Sequence, residues 1–148
     1  LTLCDTASEM PDPTVWEARI KMARGDGMAA LAPSTLERWF TPAYLSRNPP
    51  GVDLARRHLL HTPVAGYIGC SEAIRRLNYL DRLSEIQLPT LILVGQHDEG
   101  TPVSHAREIH ENMAQSRLEV VADAAHLQNI EQQEVFNKTV LEFLAKNK

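Results

Sequence analysis

The spacing of apolar and polar positions changes period along the chain. Residues 1 to 8 read as one buried strand ending in Asp5-Thr-Ala-Ser8. From there to about residue 80 the period is helical. Asp12 and Pro13 form an N-cap and first-turn pair, and Trp16, Ile20 and Ala23 follow at i, i+4, i+7, one face of a helix. Gly25-Asp-Gly27 breaks that helix. Met28 to Ala32 is a short helical piece before Pro33, and Ser34 to Phe40 starts another, stopped by Thr41-Pro42. Asn48-Pro-Pro-Gly51 is a turn, after which Val52, Ala55 and Leu59 share a face. Thr62-Pro63 caps a helix whose Tyr67, Cys70, Ile74 and Leu77 align at i, i+3, i+7, i+10. After Leu80 the pattern shifts. Thr90-Leu-Ile-Leu-Val94 is too apolar to be half exposed and reads as a parallel strand covered on both faces. Thr101-Pro102 begins a helix with Ala106, Ile109, His110 and Met113 on one face. Leu118 to Val121 is another strand, and Gln128 to Lys146 a closing helix with Phe136, Val140, Phe143 and Leu144 inward.

The order is therefore strand, a block of helices, then strand-helix-strand-helix. That last part is a βαβ unit, which requires a parallel sheet and a right-handed crossover. The fold class is α/β. No linker rich in Pro, Gly or Ser is long enough to make the helical block a separate domain. It reads as a lid over residues 10–77, inserted into a core formed by 1–9 and 78–148.

Composition narrows the classes. The chain has 148 residues, 43% hydrophobic and 23% charged, which favours one compact domain. The net charge is -4 and no basic block suggests nucleic acid or an anionic membrane as a partner. No apolar run reaches the roughly 18 residues of a membrane span. The first residues lack the pattern of a signal peptide, and Leu1-Thr-Leu-Cys-Asp5 opens in mid-strand without an initiator Met, as a fragment would. Cys4 and Cys70 make no disulfide framework, so a reducing, cytoplasmic setting is expected.

Candidate chemistry lies at two late positions. Leu91-Ile-Leu-Val-Gly-Gln-His-Asp98 is an apolar strand stopping on a carboxylate, and His126 follows 28 positions later in Ala124-Ala-His126. An Asp at a strand tip followed by a His in a late loop is how the α/β-hydrolase fold places two members of its triad. The carboxylate would hold one imidazole tautomer and stabilise the imidazolium that forms. Taken singly, Asp98 also suits a turn that caps the helix at Thr101, and His126 a loop histidine. The nucleophile, expected earlier in a Gly-x-Ser-x-Gly turn, is missing. Gly69-Cys-Ser71-Glu-Ala73 imitates it, but that turn must join a strand to a helix, and Ser71 falls inside a helix begun at Thr62-Pro63. His58 and His61 are three apart without a carboxylate or Cys to complete a metal set, and His105 and His110 do not share a face. Cys70, on an apolar face, reads as core. No metal and no cofactor is implied.

Several phrases resemble one family. Leu3-Cys-Asp-Thr-Ala7, Ala23-Arg-Gly-Asp-Gly-Met28, Glu37-Arg-Trp-Phe40, Gly66-Tyr-Ile-Gly-Cys70, Pro89 to Asp98 and Ala124-Ala-His-Leu-Gln-Asn129 are similar to the 3-oxoadipate enol-lactonases, over essentially the whole chain. The resemblance implies the C-terminal part of an α/β-hydrolase fold, with three parallel strands, flanking helices and an inserted helical lid. It implies hydrolysis of an enol-lactone ring in aromatic catabolism, with Asp98 and His126 as acid and base. The family's nucleophile and oxyanion hole have no counterpart here, so the chain alone is expected to be inactive. The substrate's free carboxylate calls for a lid cation, and Arg19, Arg24, Arg38 and Arg57 are candidates among which the sequence does not choose. Trp16 and Trp39 could wall the pocket or simply pack the lid. The other readings are a different capped hydrolase, acting on esters or carbon–carbon bonds, and an inactive fragment that only associates. The expected partner is the N-terminal half of the same hydrolase, or a second copy paired through the Leu1 to Asp5 edge.

Overall fold

The computed structural model describes residues 1–10 and 12–147. The element order is β1 (Thr2–Cys4), α1 (Thr14–Trp39), α2 (Pro42–Ser46), α3 (Pro50–His61), α4 (Val64–Ile74), a 3-10 turn (Leu80–Glu85), β2 (Thr90–Gly95), α5 (Val103–Glu111), β3 (Ser116–Val121), α6 (Gln128–Glu131) and α7 (Gln133–Lys146). The sheet has 3 strands in the order β1-β2-β3, all parallel, with Leu3 beside Ile92 and Ile92 beside Leu118. Three parallel strands with flanking helices are the arrangement that the resemblance implied.

Strand β2 organises the core. Leu91, Ile92, Leu93 and Val94 are at most 1% exposed, as a centre strand covered on both faces must be. Ile92 and Val94 pack on Ala106, Ile109 and Met113 of the α5 side. Leu91 and Leu93 face Phe143, with Phe136 and Val140 beside it. At about 1.5–3 kcal/mol for each large apolar side chain buried, this short strand accounts for much of the local stability.

Several expected elements differ in detail. β1 is shorter than the buried run read from residues 1 to 8, because Asp5 turns the chain with φ 44 and the strand faces are only half covered. The break at Gly25-Asp-Gly27 is a single kink at Gly27 (φ 74), and the helix beyond it runs through Pro33 to Trp39 instead of restarting at Ser34. A proline forfeits one i→i−4 bond, and the surrounding turns carry the helix past it. In α4 the inward stripe is the half-buried Val64, Tyr67 and Ile68 with buried Ser71, so Cys70 is exposed and not core; the phase differs from the expected face because α4 packs on α1 through Tyr67 and Ile68. His110 is exposed and bonds Ser116 through Nδ1, and Leu144 is 52% exposed because Phe136, Val140 and Phe143 already fill the i, i+4, i+7 face. The closing helix is two helices, interrupted at Gln132.

The helical excursion leaves and re-enters the core at one place. Glu9 and Asn78 form an antiparallel bridge, flanked by Met10 N–H to the Leu77 carbonyl (3.0 Å) and Tyr79 N–H to the Ser8 carbonyl (2.8 Å). Its other anchor is on the late loops. Leu127 N–H donates to the Trp39 carbonyl (2.9 Å), and Leu36, Phe40 and Val52 pack with Leu127 and Ile130. The excursion therefore sits against the segment that follows His126.

Candidate active site

The carboxyl ends of the three strands converge on His126. The chain after β3 returns across the tip of β2 because Gly95 has no side chain. A Cβ there would lie 2.1 Å from the Ala125 carbonyl oxygen and 2.7 Å from that of Ala124. The approach is fixed by Gln96 N–H to the Val121 carbonyl (2.9 Å) and His97 N–H to the Ala124 carbonyl (2.8 Å). From α6, buried Glu131 fastens the same loop. Its Oε2 accepts from Ala125 N–H (2.8 Å), and its Oε1 accepts from the backbone N–H of Thr41 (2.9 Å) and from the Thr41 hydroxyl.

Asp98 meets this loop from β2. It is 3% exposed and accepts four hydrogen bonds. Oδ1 takes the N–H groups of Gly100 (2.8 Å) and Thr101 (3.0 Å), and Oδ2 takes the Thr101 hydroxyl (2.7 Å) and His126 Nδ1 (2.8 Å). The turn-capping and histidine-binding roles weighed from sequence are thus both present, the former mainly on Oδ1. A carboxylate acceptor places the proton of neutral His126 on Nδ1 and leaves Nε2 as the free base. Nε2 has no hydrogen-bond partner among the described residues.

Electrostatics follow from this wrapping. Burial alone would raise the Asp98 carboxyl. The bond and charge of His126 and the two Thr101 bonds outweigh it, so Asp98 titrates below the ordinary 3.8. Burial alone would lower the His126 imidazole; the Asp98 bond and the charges of Asp98 and Asp5 outweigh it, and His126 titrates above 6.5.

Asp5, at the tip of β1, is a third member that the sequence reading passed over. Its Oδ1 accepts from Gly95 N–H (2.9 Å) and its Oδ2 from Gln128 Nε2 (2.6 Å). One ligand atom each from Asp5, Asp98 and His126 lie within 4.8 Å of one another. The available signal was the one that identified Asp98, an Asp directly after an apolar strand.

The remaining predicted residues are dispersed. Arg19 is half-buried, with Nε on the Tyr67 hydroxyl (2.8 Å), Nη2 on the Thr35 hydroxyl (2.7 Å) and its guanidinium 5.9 Å from the Trp16 ring. Arg38, also half-buried, lines a cleft of about 930 Å³ with Phe40, Arg47 and His97. Asp98 and His126 do not line that cleft. Arg24 and Arg57 are exposed. Trp39 packs against two apolar clusters, one with Leu31 and Leu59 and one with Leu36 and Phe40. Ser71 is 1% exposed inside α4. Among the described residues no helix is long and apolar enough to cross a membrane.

Comparison with known proteins bears on this arrangement. A family model described as "TAP-like protein" matches residues 69–148. The chain is 30% identical over 138 residues to 3-oxoadipate enol-lactonase 2 of Acinetobacter baylyi, covering 93% of this chain and 51% of that protein. Among solved structures it is similar to the enol-lactonase from Burkholderia xenovorans LB400, with 37% identity, a TM-score of 0.93, and coverage of 97% of this chain and 55% of that one. It is also similar to a thermophilic esterase from Thermogutta terrifontis, with 27% identity, a TM-score of 0.89, and coverage of 99% and 55%. The chain spans about half the length of the curated relatives it matches.

Proposed function

The chain belongs to the TAP-like protein family of α/β hydrolases, and from that premise we propose that it carries the acid and base of a lactone hydrolase acting on 3-oxoadipate enol-lactone. The observation that carries the proposal is the 2.8 Å Asp98–His126 bond, which leaves Nε2 free to take a proton. The likeness to enol-lactonases supports the choice of substrate.

The reaction is acyl transfer to water. A serine outside these 148 residues gives its hydroxyl proton to His126 Nε2 and attacks the lactone carbonyl. Asp98 stabilises the imidazolium without taking its proton. The carbonyl carbon–oxygen bond of the ring breaks, and the departing enol oxygen takes the proton from Nε2. His126 then deprotonates a water, which attacks the acyl-enzyme, and returns that proton to the serine oxygen. The enol tautomerises to the ketone. Backbone N–H groups near that serine would hold the oxyanion. The half-length match to relatives supports this division of the machinery. Of the four candidate cations Arg19 and Arg38 are half-buried and Arg24 and Arg57 exposed, which favours the first two for holding the substrate carboxylate.

The test compares the natural polypeptide carrying these residues on the enol-lactone and on a simple p-nitrophenyl ester. Preference for the lactone supports the proposal, and preference for the ester replaces it with an esterase. Arg19→Gln or Arg38→Gln should raise KM for the lactone more than for the neutral ester. The 148 residues alone should turn over neither substrate.

A further inference from the structure

The tip of β1 carries a carboxylate for which the mechanism above has no use. Asp5 is not an incidental surface acid. It is half-buried, its backbone takes the left-handed φ of 44 that turns the chain at that point, and each of its oxygens has a dedicated donor. One donor is the amide of Gly95, the glycine that lets the His126 loop approach. The other is Gln128, 0% exposed and two residues beyond His126. Both donors thus belong to segments that also place the histidine.

We propose that Asp5 is a positioning residue for the base, a second carboxylate whose charge strengthens His126 as a base by stabilising the imidazolium it becomes, while Asp98 alone holds the ring. The proposal rests on reading His126 as the general base. With neutral imidazole the cluster carries two negative charges. When Nε2 takes a proton, the new charge lies beside both carboxylates, of which only Asp98 bonds it directly.

The neighbours of Asp5 come from every side of the cluster. Cys4 precedes it on β1, and burial followed by the Asp5 charge pushes that thiol up to about 11. Asp98 approaches from the β2 loop, His126 from the loop after β3, and neutral Gln128 from α6. Burial, opposed by the Gln128 and Gly95 bonds, brings Asp5 itself to about 6. The Gln128 NH₂ donates to Asp5, a contact that suits an ionised carboxylate, while its buried Oε1 has no partner among the described residues. Protonated Asp5 could instead donate to that Oε1 after the amide turns over.

The experiment is NMR titration of the His126 ring nitrogens and the Asp5 carboxyl carbon in the 148-residue chain. In the wild type the ring should titrate above 6.5 and also respond to a smaller step near 6, where the Asp5 carboxyl carbon moves. Asp5→Asn should abolish that step and lower the His126 midpoint by about one pH unit. A native-like Asp5→Asn spectrum with an unmoved His126 midpoint overturns the proposal. Should that variant not fold, the wild-type data decide: an Asp5 carbon that titrates without any response at His126 overturns it equally. No substrate enters the measurement, so failure of the natural polypeptide to hydrolyse lactone would sink the functional reading and leave this one standing, and an unmoved midpoint would do the reverse.

Discussion

The tips of β1 and β2 carry the same residue type on neighbouring parallel strands, yet their carboxylates behave in opposite ways. Asp98 is held below its ordinary range and Asp5 is pushed up to about 6. Burial raises both, and is the largest single cause at each. The difference lies in the donors. Asp98 receives a ring N–H that can become cationic, a hydroxyl and two backbone N–H groups. Asp5 receives one amide side chain and one backbone N–H, both neutral, and faces Asp98 as a like charge. A strand tip supplies position; the number and charge of donors there decide whether a carboxylate is a permanent anion or a titrating one.

The largest expected effect tests whether the two tips can exchange roles. Asp98→Asn removes the acceptor that fixes the Nδ1–H tautomer, and kcat of the natural polypeptide should fall about 10⁴-fold. Asp5 should not substitute, because its oxygens are committed to Gly95 and Gln128. A loss below about 10²-fold that deepens in the Asp5→Asn/Asp98→Asn double variant would show that Asp5 can take the ring, and the distinction between the tips would collapse.

Next is the residue both tips share. Gly95 donates to Asp5 and admits the loop that carries His126. In Gly95→Ala the new Cβ would overlap backbone oxygen rather than a mobile side chain, so strand and loop must separate. A loss of about 3 kcal/mol or more is expected in denaturant unfolding. A smaller loss would mean that the loop position does not depend on this contact.

The third prediction uses the opposite signs of the two shifts. A raised carboxyl pKa means that the folded state binds the proton more tightly, so ionised Asp5 destabilises the fold above about pH 6, and the penalty is removed as pH falls toward 3.8. Asp5→Asn should therefore stabilise the chain at pH 8, by up to about 3 kcal/mol, and the gain should close by about pH 4. The asparagine could keep the Gly95 bond and donate to the unpartnered Gln128 Oε1 once that amide turns over. Asp98 has a lowered pKa, so its contribution is present above 3.8 and is lost as pH falls through the folded value. Asp98→Asn should destabilise most near neutrality. Two difference curves of the same sign would refute the comparison.

What could be read from sequence divides along similar lines. β2, α5, β3 and the Asp98–His126 pair were legible because an uninterrupted apolar run, a proline-marked helix start and a strand-tip Asp are local signals. Asp5 carried the same local mark, but its meaning depends on parallel pairing of β1 with β2 and on Gln128, 123 positions away. The α4 face was misread at Cys70 and Ser71 because both are small, so only packing against α1 fixes the phase. Continuation of α1 through Pro33 was not legible because a single lost backbone bond is outweighed by burial of Leu31, Thr35 and Leu36 around it.

The smallest effect concerns the support behind the ring. Glu131 accepts from Thr41 on one oxygen and from Ala125 N–H on the other, tying the His126 loop to the end of α1. In Glu131→Gln the carbonyl oxygen can satisfy only one side. The new NH₂ must then face another donor, Ala125 N–H or the Thr41 N–H, and the unmade bond costs about 1–2 kcal/mol. The Asp98–His126 bond should survive, because Asp98 is oriented independently by Gly100 and Thr101. The looser loop should weaken the longer-range charge contact with Asp5 first. The His126 midpoint should therefore fall by less than in Asp5→Asn, with Asp98 still ionised across the titration. If Glu131→Gln instead moved His126 as far as Asp98→Asn does, the ring would be set by its loop rather than by the carboxylate at the tip of β2, and the contrast between the tips would reflect the placement of His126 alone.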